Sequence, residues 1–145
     1  MKKFRFTLQT VLNLNISLEK EEKNQLAAAN RRIMVLEDEK AAVIDKITAS
    51  EDEYSLKIKC CSVEDMKIQN VYIANLNITK KQIDERIDEE KKKRQKIRDA
   101  LSKTIIKRKS LETLMEKQYT EYLAQVKSEE EKSLDDFVSY SYLYS

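Results

Sequence analysis

The amino-acid sequence predicts an all-α fold, a long antiparallel two-helix coiled-coil hairpin. Three observations carry the prediction. Glycine and proline are both absent from the 145 residues, where average usage of about 7% and 5% would supply roughly ten and seven. The turn and breaker chemistry of a sheet or a loop-rich globule is therefore missing. Charged residues make up 37% of the chain and hydrophobic residues 41%, a mixture that suits solvated helices rather than a thick core. Above all, an unbroken 3-4 alternation runs from Met66 to Tyr122.

That alternation organises the chain. It comprises Met66, Gln69, Ile73, Leu76, Lys80, Ile83, Ile87, Glu90, Arg94, Ile97, Leu101, Thr104, Arg108, Leu111, Met115, Gln118 and Tyr122, and ten of these 17 are apolar or aromatic. Such spacing is the seam of a helix that packs lengthwise on another helix. At about 1.5 Å per residue the stretch is ~85 Å long. Lys80, Glu90, Arg94 and Arg108 fall on the seam, where polar groups fix register at a cost in stability. The middle of the pairing is accordingly expected to be weakly held. On the surface, Glu90 with Arg94 and Asp88 with Lys92 have the i,i+4 spacing of helical ion pairs. The surrounding run, residues 85–109, turns strongly basic after Lys91. It reads either as a solvated face or as a basic band for an acidic partner.

The partner helix precedes it, over about residues 5–58. Leu12, Glu19, Leu26, Ile33, Lys40, Ile47 and Tyr54 share one heptad position, and Leu8, Asn15, Glu22, Ala29, Leu36, Val43 and Ser50 the matching one. Its alanine run at 27–29 favours helix and allows close approach. Between the helices, about residues 59–63 form a short turn containing Cys60 and Cys61. Ser62 then reads as an N-cap, with Glu64 and Asp65 at the positive end of the helix dipole. Two helices joined this way fold back on one another. The second helix runs from about 63 to about 138 and is the longer, overhanging near Met115 to Val126. A frayed tail follows to residue 145, and the whole is a single domain. A parallel homodimer of one uninterrupted helix, ~200 Å long at the same rise, is the alternative architecture.

Residues 4–18 are denser in apolar groups than a two-helix seam requires. Leu8, Val11, Leu12 and Leu18 share one broad face, with Leu14 pointing elsewhere. This end reads either as a tightly packed coil end or as a docking end for another protein.

Several functions are excluded. With no histidine and no glycine, imidazole catalysis, ordinary histidine metal sites and phosphate-binding loops are ruled out. Carboxylates on exposed helices lack the burial that tunes a catalytic acid or base. No catalytic, cofactor-binding or metal-binding residue is assigned. A net charge of +2 does not mark a nucleic-acid partner. The two vicinal cysteines fit a reducing cytosol and read as turn filler. No segment approaches the roughly 20 apolar residues of a membrane span.

Beyond this physical reading, particular stretches resemble the FliJ stalk proteins of the bacterial flagellar type III export apparatus. They are Phe4-x-Phe6-x-Leu8-x-x-Val11-Leu12 at the start, Tyr72-Ile73-x-x-Leu76 after the bend, and Lys109-x-Leu111-Glu112-x-Leu114-x-x-Lys117 in the second half. The last leads through Tyr122 to Glu130-x-Lys132-x-Leu134-Asp135-Asp136-Phe137. The resemblance covers essentially the whole chain, although each stretch taken alone is a coiled-coil pattern. It implies a non-enzymatic protein-transport component needed for flagellum biogenesis and motility. Such a stalk binds the pore of the export ATPase hexamer, promotes its assembly and activity, and acts as a chaperone component that engages substrate-specific export chaperones. It also contacts the cytoplasmic linker of the export-gate membrane protein. It would be cytoplasmic, and peripheral to the inner face of the cell membrane through these partners. Carried over by position, the ring-binding residues are Phe4, Phe6, Leu8, Val11, Leu12, Leu134 and Phe137. The gate-binding residues are Ile47, Tyr54, Tyr72, Leu76 and Ile83; Ser50 and Thr79 match in position but depart from the expected residue type. Ile47, Tyr54, Leu76 and Ile83 are also seam residues. The homologous stalk of a virulence secretion system, and a generic cytosolic coiled-coil scaffold, are the competing identities.

Overall fold

A computed structural model describes residues 2–60 and 62–144. Two helices account for nearly all of them, α1 (Gln9–Lys57) and α2 (Val63–Tyr144). They form an all-α helical hairpin, and the chain divides into two compact units, each a stretch of α1 against a stretch of α2.

The unit Glu22–Ala100 contains the main apolar cluster. Val43 and Ile47 of α1 meet Ile83 and Ile87 of α2, with Leu36 and Leu76 packed alongside. Ala29 is completely buried, which realises the close approach that its small side chain permits. Pairing is antiparallel, since Arg32 reaches Glu90 while Lys40 reaches Asp84. In the second unit, Met1–Glu21 with Leu101–Ser145, Phe6, Leu12 and Thr104 are buried. Arg108 there pairs with Glu19.

Seam positions read from the sequence are the covered ones. Every one of the 17 positions on α2 is buried or half-buried. On α1 the same holds for both heptad positions, Leu8 excepted. Several polar seam residues are satisfied rather than merely tolerated. Glu90 accepts from Arg32 at 3.1 Å, Arg94 donates to Asn30 at 3.3 Å, and Gln69 donates to the Ser50 carbonyl at 3.2 Å. Glu90 was expected to pair with Arg94 on its own helix. It instead joins Arg32 across the seam and Lys93 at i,i+3, because a seam position points at the other helix.

At the turn, the Asp65 N–H donates to Ser62 Oγ at 3.4 Å, the anticipated cap. The Cys60 N–H closes on the Lys57 carbonyl at 3.1 Å. No described residue has positive φ, so the described turn residues do without the left-handed backbone that glycine favours. Cys60 is exposed; Cys61, and hence the vicinal pair, lies outside the described residues.

The ends differ from expectation. α1 starts at Gln9 instead of near residue 5. Phe4 and Phe6 point inward while Arg5 and Thr7 are exposed, the two-residue alternation of an extended segment. α2 continues through Tyr144 where fraying was expected, for nothing in the sequence stops it, and Tyr140 and Tyr144 pack ring to ring at 4.6 Å. Met115, Gln118, Tyr122 and Val126 are half-buried where an overhang was anticipated, because the extended segment continues the pairing after α1 has ended. The uncovered part of α2 begins beyond Val126.

A seam of this width makes each buried side chain count. Ile83→Ala should destabilise the chain by about 2–3 kcal/mol through lost transfer energy and a residual cavity. Ile78→Ala, at a position 56% exposed, should change stability by less than about 0.5 kcal/mol. Urea unfolding followed by circular dichroism distinguishes them, and equal losses would contradict the packing described.

Candidate binding surfaces

The terminal surface is built on an aromatic clasp. Phe4 packs edge-on against Tyr119, with ring centroids 5.1 Å apart, and lies 5.6 Å from Tyr122. The two tyrosine rings are 6.3 Å apart and near parallel. Tyr122 Oη donates to the Lys2 carbonyl at 2.7 Å. Aromatic pairs of this kind are worth about 0.5–1.5 kcal/mol each beyond their area, enough to hold a short non-helical segment on a helix. Phe6 follows, buried beside Met115.

Within this unit the residues assigned to ring binding separate into two groups. Phe4, Phe6 and Leu12 face inward and hold the unit together. Leu8 and Val11 are 36% and 44% exposed, and Leu134 and Phe137 are 62% and 67% exposed. Leu14 and Leu18, which no assignment included, are also exposed. With Val11 they stand at i, i+3 and i+7, an outward apolar stripe on one helical face, so Leu14 shares the exposed side of Val11 and Leu18 instead of pointing elsewhere. Leu134 and Phe137 lie twelve and fifteen residues past Tyr122, about 18 and 22 Å along α2 at 1.5 Å per residue. They line a shallow groove with Glu129, Glu130 and Ser133. Every described residue from 127 onward is exposed, so this portion of α2 has no covering helix.

Charge organises the inner side of the same unit. Arg108 donates through Nε to Glu19 and through Nη1 to both Glu112 oxygens at 3.0 Å. Glu112 first, and Glu19 second, hold the guanidinium above its ordinary pKa. This arginine therefore stays charged at every pH a cell reaches.

In the 22–100 unit, the residues assigned to gate binding are likewise divided. Ile47 and Ile83 sit in the apolar cluster, 8% and 6% exposed, and Leu76 packs against it. Tyr54 is half-buried. Tyr72, 48% exposed, is the member that faces solvent. Sequence periodicity placed the inward residues correctly and so could not separate seam from surface. Tyr119 was missed because it falls one position off the heptad register. The signal available for it was its i,i+3 spacing from Tyr122, opposite a chain start rich in phenylalanine.

Electrostatics at the seam of this unit are visible at Glu90. The hydrogen bond from Arg32 is the main influence holding its carboxyl below the usual range; desolvation opposes this, and Lys93 reinforces it. Among the described residues no cluster of His, Cys, Asp or Glu could hold a metal ion. No helix is long and apolar enough to cross a membrane.

Compared with known protein families, residues 4–145 match the model described as the flagellar FliJ protein. No curated protein and no solved structure matches the chain.

The lowered Glu90 pKa fixes a pH dependence. A carboxyl whose folded value is depressed stabilises fully above its unfolded value, about 4.3, and loses that contribution as pH falls through the folded value. Arg32→Gln should therefore lower the urea midpoint at pH 7, and the deficit relative to the parent should shrink on acidification below about pH 4. A deficit independent of pH would exclude the Arg32–Glu90 pair as its source.

Proposed function

The chain belongs to the flagellar FliJ protein family, and from that premise we propose that it works as the non-enzymatic stalk of the flagellar export machine. In this reading its terminal unit seats in the pore of the export ATPase ring. The turn-proximal part of the hairpin meets the export gate's cytoplasmic linker, and exposed helix faces receive export chaperones. The protein acts in the cytoplasm and reaches the membrane only through these partners.

One observation supports the ring contact above others. The terminal unit presents apolar residues to solvent on two separate helical surfaces, Val11 with Leu14 and Leu18, and Leu134 with Phe137. The inward residues Phe6 and Leu12 already satisfy the needs of the hairpin, so the outward ones are surplus to folding. A terminal unit with two separate apolar surfaces suits a ring whose subunits are in different nucleotide states. It would shift those states only through its differential affinity for them. A coupling of about 1 kcal/mol corresponds to a roughly fivefold change, enough for a regulatory stalk with no catalytic group. Acids around the second surface, Glu129, Glu130, Asp135 and Asp136, favour a ring lining with basic residues near its apolar contact points.

At the other surface Tyr72 would be the principal gate contact, flanked by Tyr54 and Leu76. Ile47 and Ile83 would act indirectly, by holding those side chains in place.

Adding the purified chain to its cognate export ATPase should raise hydrolysis about fivefold. Val11→Asp combined with Phe137→Ala should abolish that rise and ring co-sedimentation while leaving the circular dichroism melting curve within a few degrees of the parent. Tyr72→Ala should leave ATPase stimulation intact and weaken binding to the gate linker. Equal loss from both sets, or no stimulation by the parent chain, would reject the two-ended stalk.

A further inference from the structure

A groove in the 22–100 unit lies outside both surfaces discussed so far. Its lining is Ala28, Arg31, Arg32, Val35 and Leu36 of α1 with Arg86, Glu89 and Glu90 of α2. We propose that this groove docks an amphipathic helical segment of another protein, whose apolar ridge is flanked by carboxylates.

The floor follows from the sequence. Ala28 leaves a hollow where a longer side chain would stand, one turn before Arg31 and Arg32. Val35 follows Arg31 by four residues and remains 55% exposed. It sits one position before the seam residue Leu36, too far round α1 for α2 to cover. A β-branched residue is not a favoured helix former at a solvated site, so the needs of α1 do not account for it. Arginine stems add apolar wall to such a floor while their heads stay in water.

The rim supplies the charge. Arg32 is engaged by Glu90, which also takes Lys93 at 3.5 Å. That arrangement neutralises Glu90 and fixes one wall. Arg31 and Arg86 are exposed, and among the described residues neither has an ion pair or a hydrogen bond. Glu89 is the one acidic group at the rim not already engaged. Two free guanidinium forks thus face the groove across an apolar floor. Guanidinium groups bind carboxylates bidentately, with geometric selectivity that an ammonium lacks. An open groove of this depth does not enclose a small molecule, which needs most of its surface buried. It does fit the ridge of a helix, read through anchors at i, i+3, i+4 and i+7. Charge complementarity therefore selects an acidic amphipathic helix over a neutral or basic one.

The proposal does not depend on the stalk reading, since none of these residues belongs to the ring or gate sets. Two fluorescein-labelled helical peptides test it, both with leucines at i, i+3, i+4 and i+7, one with glutamates flanking the ridge and one with lysines. Anisotropy is measured with the full chain, and circular dichroism confirms that each variant folds. The glutamate peptide should bind about tenfold more tightly than the lysine peptide, and Arg31→Glu with Arg86→Glu should reverse the preference. Val35→Asp should weaken the glutamate peptide at least about fivefold by wetting the floor, whereas Lys67→Glu, a larger charge change of the same sign elsewhere on the unit, should alter it less than about twofold. Equal binding of the two peptides, or an equal loss from Lys67→Glu, would overturn the proposal. So would self-association of the chain that Val35→Asp removes, since the occupant would then be a second copy.

Discussion

Everything in this molecule depends on one narrow contact, the strip along which α1 and α2 touch. A helix paired with a single partner can bury only one row of side chains, whatever its length. Four aliphatic residues therefore make up the main apolar cluster of the 22–100 unit, and many large apolar side chains remain in solvent. Polar residues are tolerated on the seam where they find partners across the gap, as Glu90 does in Arg32 and Lys40 in Asp84. Arg108 between Glu19 and Glu112 is the fullest case. Its fork is planar and directional, so a displacement of α1 along α2 would strand a half-buried charge. Such a residue specifies register more than it adds stability, and it does so where the aliphatic cluster is absent.

The same constraint explains what the sequence could disclose. Period and composition determined the helix pairing, because a two-helix seam has a one-dimensional code with no sheet or loop chemistry to obscure it. The 17 seam positions between Met66 and Tyr122 are all buried or half-buried for that reason. The code fails where its premise of continuous helix fails. Phe6 falls inside the helix expected over about residues 5–58, yet the spacing of two between Phe4 and Phe6 is what an extended segment shows when one side is buried. Tyr119 escaped because it packs on that segment and not on a helix. The assigned surface residues were partly seam residues for a related reason. In a two-helix pair, a position that faces inward by register is either covered or half-open, and only the local geometry tells which. Ile47 and Ile83 are covered, while Tyr54 and Leu76 are half-buried.

A two-helix pair thus leaves much apolar and charged surface uncovered. In the terminal unit, the clasp of Phe4 on Tyr119 and Tyr122 fixes the chain start against α2, and Val11, Leu14 and Leu18 remain outward. In the other unit, an alanine run lowers one wall of α1 and arginines border the hollow. These surfaces differ in character, one apolar beside acids and one apolar beside bases. Differences of this kind discriminate between ligands in general, since like charges brought together at an interface are penalised.

The connection between the helices is the least demanding part of the chain. Its described residues include none with left-handed backbone, and its identified anchor is a serine hydroxyl. Loop-closure entropy rises only slowly with length, by about 0.6 kcal/mol for each doubling. A longer linker in place of Lys59 and Cys60 would therefore leave the seam, and with it the register of both arms, almost untouched. The bend is consequently a place where a tag, a fluorophore or an inserted peptide can be accommodated at little thermodynamic expense.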